Sequence, residues 1–581
     1  MIINKIWQFI VNFLKSYFVI IALILIFLLS SYSFFQTSFF HVHDFTHGAR
    51  IAEMARALDE GQFPVRWSAN FGYGFGMPLF NFYAPLPYFI GALFFKMGFD
   101  VVTSIKLLCL FINLITIIGS YLLGRKMLGR FGGLLLASAY TLAPYRAVNL
   151  FVRGAFSEVF AMAFLPLVLF SILAFVKNQN KKYLLLLLIS ILAIILSHNL
   201  TAMIFLPLAG LFAFLYLAYQ KKLKLLWPIA GQFLLALGLS AFYMLPAFIE
   251  KDLTIINKIF SGYFHYSHHF LYIRQFFQDQ WQYGGSAWGP DDDVSFFLGK
   301  GQLLGLTVLA MLAFCHLIKN RKNFIKNQLF FYSLVFASFC FFALFMSILK
   351  SKFIWDKVQL LQYIQFPWRF LSITSLFLAI LVALSIYLFT NKKIRFLYGF
   401  LLMAVLFMNA SYFKPEEFLK DASALYYDDA QKIQNHMSET LPDYIPLQMA
   451  EEKILLAKNQ ELPSFWLEDV NSTGKMTSIV DRGFEKMIAT DFTKAEILNF
   501  KVANFIGWQA ELDGEKWSID TNQALGNIQL NVPAGQHRVG IYFTENTTAR
   551  KIGDTVSVFA LLISCYFFYP FAKDKVLKIK K

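Results

Sequence analysis

Along the chain, apolar runs of about twenty residues alternate with short polar connections, the rhythm of membrane-crossing helices. The runs predict spans near 17–35, 101–123, 131–146, 157–176, 183–198, 200–219, 227–247, 299–318, 328–349, 368–390, 394–413 and 553–571. The basic residues sort with them. Arg125-Lys126 and Arg130, Lys177 and Lys181-Lys182, Lys221-Lys222 and Lys224, the stretch Lys319 to Lys326, Lys392-Lys393 and Arg395, and the tail Lys573 to Lys581 fall on one side. By the positive-inside rule that side is cytoplasmic, and both termini lie there. The scheme requires the apolar run 85–98 to stop short of a span. Its prolines, Pro85 and Pro87, suit a helix lying in the outer interface.

Four stretches then face outward: 36–100, 250–298, 350–367 and 414–552. Only the last is long enough for its own soluble core. Its beginning, 415–437, is polar and more helical. Its end alternates as strands over 502–519 and 526–543, with a hairpin signal at Asp513-Gly514 and a turn at Ala534-Gly535. The expected fold class is therefore a polytopic α-helical membrane protein of about twelve spans with a small outward-facing β-rich domain before the last span. The expected divisions are 1–413, with its first outer loop 36–100, then 414–552, and 553–581 as final span and basic tail.

Composition agrees. The chain has 581 residues, 57% hydrophobic and 15% charged, with mean hydropathy +0.53, outside the range of soluble globular domains. A net charge of +16 would suit nucleic acid, but the Lys and Arg sit in connections between spans, so no nucleic-acid partner is expected. The first apolar run follows Lys5 and Lys15 and has no small-residue cleavage site after it, which reads as a retained span. Cys109, Cys315, Cys340 and Cys565 all lie in apolar runs and offer neither a disulfide framework nor a metal pattern.

Candidate chemistry concentrates just after the first span. In 41–67, Ile51, Met54, Ala55 and Leu58 recur at helical spacing, with Arg50, Glu53, Arg56 and Asp59 on the other face. Gly61 and Pro64 stop this short amphipathic helix, which is expected to lie on the outer surface. Asp44 stands at its entrance beside His43 and His47, at the lipid–water boundary. Its bland role is an N-cap. Its chemical role would be a partly desolvated general base or a ligand for a divalent cation. His41, His43 and His47 would complete a metal site, though their spacing is not diagnostic. The following 72–89, GYGFGMPLFNFYAPLPYF, reads as an irregular shelf lining a cavity.

The pieces 44–47 (DFTH), 72–88, 143–161 (APYRAVNLFVRGAFSEVFA), 197–202 (SHNLTA), 268–299, 365–371 (QFPWRFL), 505–515 and 533–543, in this order, resemble the GT-C glycosyltransferase superfamily. They are most similar to the bacterial membrane proteins called 6-pyruvoyl-tetrahydropterin synthase-related, and more distantly to YfhO-type proteins. No soluble pterin-enzyme core is visible, so that activity is not implied. The resemblance implies a transferase in the bacterial plasma membrane. It would move a sugar from a polyprenyl-phosphate donor to an extracytoplasmic acceptor, a lipid-linked or cell-surface glycan, among membrane lipids. In such enzymes an acidic residue of the first outer loop contributes to catalysis, and Asp44 holds that place, with His47 in support. The usual acidic pair is absent, because Val42 precedes His43-Asp44.

Such chemistry needs a held phosphate, a deprotonated acceptor and a stabilised oxocarbenium-like transition state. Arg146, Arg153 and Arg369 stand at the outer interface and suit phosphate contact; snorkelling to headgroups is the alternative for each. Glu158 starts a span near Arg153, and an Arg–Glu ion pair is the simpler account of it. His198 and Asn199 lie between two spans, either as a helix-terminating pair or as cavity lining. Trp281, Tyr283 and Trp288 could stack on a sugar or form an interfacial belt. His269, Gln365 and Trp368, in the matching pieces, join the substrate-binding candidates. Asp291 to Asp293 read as a solvated turn. The rival readings are a transporter or flippase of envelope glycolipids, or a non-catalytic scaffold.

Overall fold

The computed structural model describes residues 2–325, 327–421, 429–436, 444–449, 453, 456 and 462–579. Parts of the polar stretch 415–437 and the tail lysines Lys580 and Lys581 lie outside the described residues. Among the described residues, nine helices are long and apolar enough to cross a membrane, or ten if one bent pair is a single span. The molecule is mostly helical, with a small β region near its C-terminal end.

Local chemistry explains where the helices depart from simple runs. The helical stretch Val101–Thr141 breaks at Gly129, whose φ is 81°. A Cβ on Gly124 would lie 2.6 Å from the Gly132 carbonyl oxygen, whereas eight residues of straight helix rise about 12 Å. The chain therefore doubles back as a tight helical hairpin between the runs read at 101–123 and 131–146. The second arm ends at Thr141, and Pro144–Phe151 follows as a short helix, because Ala143 before Pro144 is held extended. The run 227–247 is bent: Leu223–Leu239 and Ala241–Ile249 meet at 63°. Ser557 of the last helix serves the break. Its hydroxyl accepts from the Phe242 amide (2.9 Å) and donates to the Gly238 carbonyl (3.0 Å), which satisfies backbone groups freed by the kink. Leu86–Lys96 has 11 residues, about 16 Å, too short for a hydrocarbon core of about 30 Å.

Strand β1 (Phe39–Phe40) follows the first span and pairs with β2 (Phe418–Leu419). The remaining strands are β3 (Phe465–Leu467), β4 (Lys475–Arg482), β5 (Glu485–Phe492), β6 (Glu496–Ala503), β7 (Trp508–Leu512), β8 (Glu515–Trp517), β9 (Asp520–Thr521), β10 (Asn527–Val532) and β11 (Gly535–Phe543). They form two antiparallel sheets, ordered β3-β6-β10-β9 and β4-β5-β11-β7-β8. Asp513 and Gly514 turn β7 into β8 with φ of 53° and 86°, the left-handed pair that favours such hairpins. Ala534-Gly535 differs from a hairpin: it carries the chain from β10 in one sheet to β11 in the other.

The inner faces of the sheets, among them Ile488, Phe500, Leu530 and Val539, belong to one apolar cluster with Ala49, Ile51, Trp67 and Phe75 of the first loop. Trp67 packs edge-on against Trp508 at 5.3 Å, and the Ala503 amide bonds the Phe75 carbonyl at 2.7 Å. A Cβ on Gly76, where φ is +76°, would lie 2.4 Å from Trp67 Nε1, so this shelf glycine seats the indole. The helix His47–Asp59 carries the expected apolar face, and part of its polar face is buried as well. Arg50 and Glu53 are each 1% exposed. Glu53 accepts from Arg56 and Asn70, and the Gly483 amide of the sandwich bonds Glu60 at 2.7 Å. The sandwich meets this helix at its C-terminal end, while Arg50 is enclosed by Asp44, Tyr83 and Tyr88.

Candidate functional site

Beneath the first loop lies a cavity of about 880 Å³. Its polar end carries His43, Asp44, Arg153, Glu158, His198, Asn199 and Arg369. Its apolar arm runs between span helices and is lined by Ile191, Ile195, Met203, Leu206, Phe233 and Leu237.

Backbone pairing sets the polar end. The amides of His43 and Asp44 donate to the carbonyls of Val152 (3.0 Å) and Arg153 (2.9 Å). Gly154 permits this approach: its φ is +69°, and a Cβ there would lie 2.5 Å from Val42. Asp44 is not an N-cap, a place taken by Thr46. One Asp44 oxygen accepts the Thr46 hydroxyl at 2.6 Å, and the other lies 3.4 Å from His47 Nε2 and 3.6 Å from Arg50. Burial alone would raise the carboxyl's pKa, but Arg50, His47 and Thr46 together outweigh it and hold the group well below the usual carboxylate range. His47 sits behind Asp44, 2% exposed, and its Nδ1 meets the Tyr88 hydroxyl at 2.9 Å. Tyr88 also accepts from Arg50 at 2.8 Å.

Arg153 donates to Glu158 at 2.9 Å and lies 4.3 Å over the Trp368 ring. Glu158 also accepts from Tyr145 (2.7 Å) and Asn149 (3.2 Å), so this carboxylate at the start of its span is fully engaged. Arg369 differs. It donates to the Ile364 carbonyl (2.7 Å) and Gln365 (3.2 Å), while its buried Nε has no partner. Among the described residues no carboxylate lies within salt-bridge distance of it. The third wall cation, Lys251, pairs with Asp252 at 2.9 Å.

His198 caps the helix Asn199–Tyr219. Its Nδ1 accepts from the Thr201 amide at 3.2 Å, which leaves the ring proton on Nε2; Asn199 stands beside it on the wall. Trp368 and Gln365 line the cavity directly. His269 supports the wall from behind through a relay. Trp368 Nε1 donates to the Ser286 hydroxyl (3.2 Å), Ser286 meets His269 Nδ1 (3.0 Å), and His269 Nε2 faces the Tyr263 carbonyl (2.5 Å).

Four sequence candidates, Arg146, Trp281, Tyr283 and Trp288, stand apart from the cavity lining. Arg146 is fully buried and donates to the Thr141 carbonyl (2.8 Å) and Asn113 (2.9 Å). Asn113 in turn bonds the Ser30 carbonyl, so Arg146 ties helices together rather than facing a headgroup. Trp281 stacks on Tyr412 at 4.7 Å. Tyr283 donates to the Lys414 carbonyl (3.1 Å) and uses its own carbonyl to hold His43 Nε2 at 2.7 Å. Trp288 is 83% exposed. Asp292, read within a solvated turn, accepts instead from Gln275 and the Ala287 amide. Among the described residues no three His, Cys, Asp or Glu side chains converge to hold a metal ion.

Sequence reasoning missed a buried polar knot beside the cavity. Glu250 accepts from Arg550 (2.9 Å), Thr547 (2.6 Å) and Asn81 (2.9 Å), and Asn81 accepts from Arg66 (3.1 Å). Its members come from three distant stretches, the first loop, Glu250 and the start of the last helix, and nothing in their local sequence signals the meeting.

Residues 80–414 match the family described as 6-pyruvoyl-tetrahydropterin synthase related domain, a membrane protein. No curated protein matches the chain. The matched region is more than half of the chain and supplies most of the cavity wall, including Arg153, Glu158, His198 and Arg369. The chain belongs to the 6-pyruvoyl-tetrahydropterin synthase-related family of membrane proteins.

Proposed function

We propose that this protein is a membrane glycosyltransferase that moves a sugar from a polyprenyl-phosphate donor to an extracytoplasmic, lipid-linked or cell-surface glycan. The observation that carries the reading is the two-sided cavity. One arm is apolar and runs between spans, and the other is polar, its wall carrying both the guanidinium of Arg369, without a carboxylate partner among the described residues, and the fixed carboxylate of Asp44. A prenyl chain fits the first arm, and a phosphate meets Arg369 and Arg153 at the second. Asp44, already hydrogen-bonded, orients the acceptor and offers a fixed negative charge to an oxocarbenium-like centre.

The hairpin at Gly129 and the apolar helix Lys181–Ser197 favour a count of twelve spans. With the basic connections inside, both termini are cytoplasmic and 414–552 lies outside a bacterial plasma membrane. In that frame the sandwich roofs the cavity on its outward side.

The test is sugar transfer by the protein reconstituted in liposomes with labelled polyprenyl-phosphate sugars. The wild type is expected to label the acceptor lipids. Asp44→Asn is expected to slow transfer about 10- to 150-fold, the worth of a charge-assisted contact of about 1.5–3 kcal/mol. Binding of the lipid without any transfer would favour the transporter reading instead.

A further inference from the structure

We infer that the acceptor's proton is taken by His43 Nδ1, not by Asp44; this rests on the glycosyl-transfer reading above. Two observations carry it. The first is that Asp44 is committed elsewhere. Both of its oxygens face Thr46, His47 and Arg50, an arrangement that stabilises the anion and weakens it as a base. The second is the tautomer of His43. Its Nε2 lies 2.7 Å from the Tyr283 carbonyl, an acceptor only, so Nε2 carries the proton. Nδ1 therefore holds a free lone pair, and no hydrogen bond occupies it among the described residues.

His43 also stands where a base is needed. It lines the cavity next to Asp44 and shares the wall with Arg153 and Arg369. The charged and titratable groups facing it are Arg153, His41 and Glu416. Desolvation by the chamber wall lowers the ring's pKa; the Tyr283 carbonyl opposes this and Arg153 adds to it, with His41 lowering and Glu416 raising. The net shift is downward, so the imidazole is neutral and ready to accept a proton at pH 7.

The step balances without a further reactant. The acceptor hydroxyl gives its proton to Nδ1 while its oxygen bonds the anomeric carbon. The bond from that carbon to the phosphate oxygen breaks, and its electron pair leaves on the polyprenyl phosphate beside Arg369. His43⁺ then releases the proton to water.

The experiment compares His43→Gln with the wild type in liposomes, using a panel of labelled polyprenyl-phosphate hexoses and pentoses with a membrane-lipid extract as acceptor source. Glutamine keeps an amide N–H for the Tyr283 carbonyl and removes only the base. The expected result is a kcat at least about 100-fold lower, a donor KM within threefold of wild type, and loss of the acid limb of the pH profile. His43→Ala is expected to regain rate with added imidazole. If the wild type transfers sugar and His43→Gln keeps both its rate and its acid limb, His43 is not the proton acceptor. If the wild type transfers from no donor, the functional reading itself is overturned. Matching thermal melting of wild type and variant separates lost chemistry from lost fold.

Discussion

Replacing Arg369 by glutamine tests the electrostatic logic of the cavity. The wall cations Arg153 and Lys251 have carboxylate partners at 2.9 Å each, and Asp44 has Arg50. These pairs cancel to first order, so Arg369 supplies the net positive charge. It is pre-positioned by the Ile364 carbonyl at 2.7 Å and keeps an unpartnered Nε, so a lipid phosphate gains a donor already in place. A hydrogen bond to a charged group contributes about 1.5–3 kcal/mol, and each 1.4 kcal/mol is tenfold. Arg369→Gln should therefore weaken polyprenyl-phosphate binding about 10- to 150-fold. Arg369→Lys should fall between, since it keeps charge but loses the planar fork. The assay is competition of unlabelled polyprenyl phosphate against a photoreactive analogue in nanodiscs. Labelling should map to the wall formed by Asn199–Tyr219 and Leu223–Leu239. Equal affinities for wild type and Arg369→Gln would refute the argument, because they would place the phosphate away from the only unpaired guanidinium described on the wall.

Two further outcomes follow from the packing. Glu250→Gln leaves the buried Arg550 guanidinium, 0% exposed on its side chain, without its counter-charge. Loss of one partner of such a pair costs about 3–5 kcal/mol, read as faster amide exchange at Trp508 and Thr544; a double-mutant cycle with Arg550→Met should recover part of it. Asp44 has a folded-state pKa below its unfolded value, so its contribution to stability is full above about pH 5 and is lost as pH falls from there through the folded value. Thermal melting should show no Asp44-dependent change between pH 5 and 8 and an acid loss that Asp44→Asn abolishes; a step near pH 6 that vanishes in Asp44→Asn would contradict this.

Much of the architecture was legible because membrane spans and alternating strands are local signals. Hydrophobic length located the helices, the basic turn around Gly129 marked a reversal, and Asp513-Gly514 announced its hairpin. What local pattern cannot carry is who covers whom. The helix His47–Asp59 has the periodicity of a surface helix, yet its Arg50 is enclosed by Asp44, Tyr83 and Tyr88, and Glu60 just past its end meets Gly483, more than 400 residues later. Ala534-Gly535 has the composition of a hairpin turn, but the register that sends β11 into the other sheet depends on β5 and β7. At the site, the adjacency of His43 and Asp44 was readable. That Arg146 would tie helices together while Arg369 met the cavity was not, because both are arginines near span ends and only tertiary partners distinguish them.

The apolar cluster shared by the first loop and the sandwich has a consequence for biogenesis. Trp67 and Phe75 wait for Trp508 and Ala503, so the first loop cannot finish folding until the strands that carry those residues have been synthesised. Every span between them must be threaded while that early loop is still unpaired. A nascent chain truncated before the sandwich would expose a greasy, half-built loop, a natural mark for quality-control proteolysis.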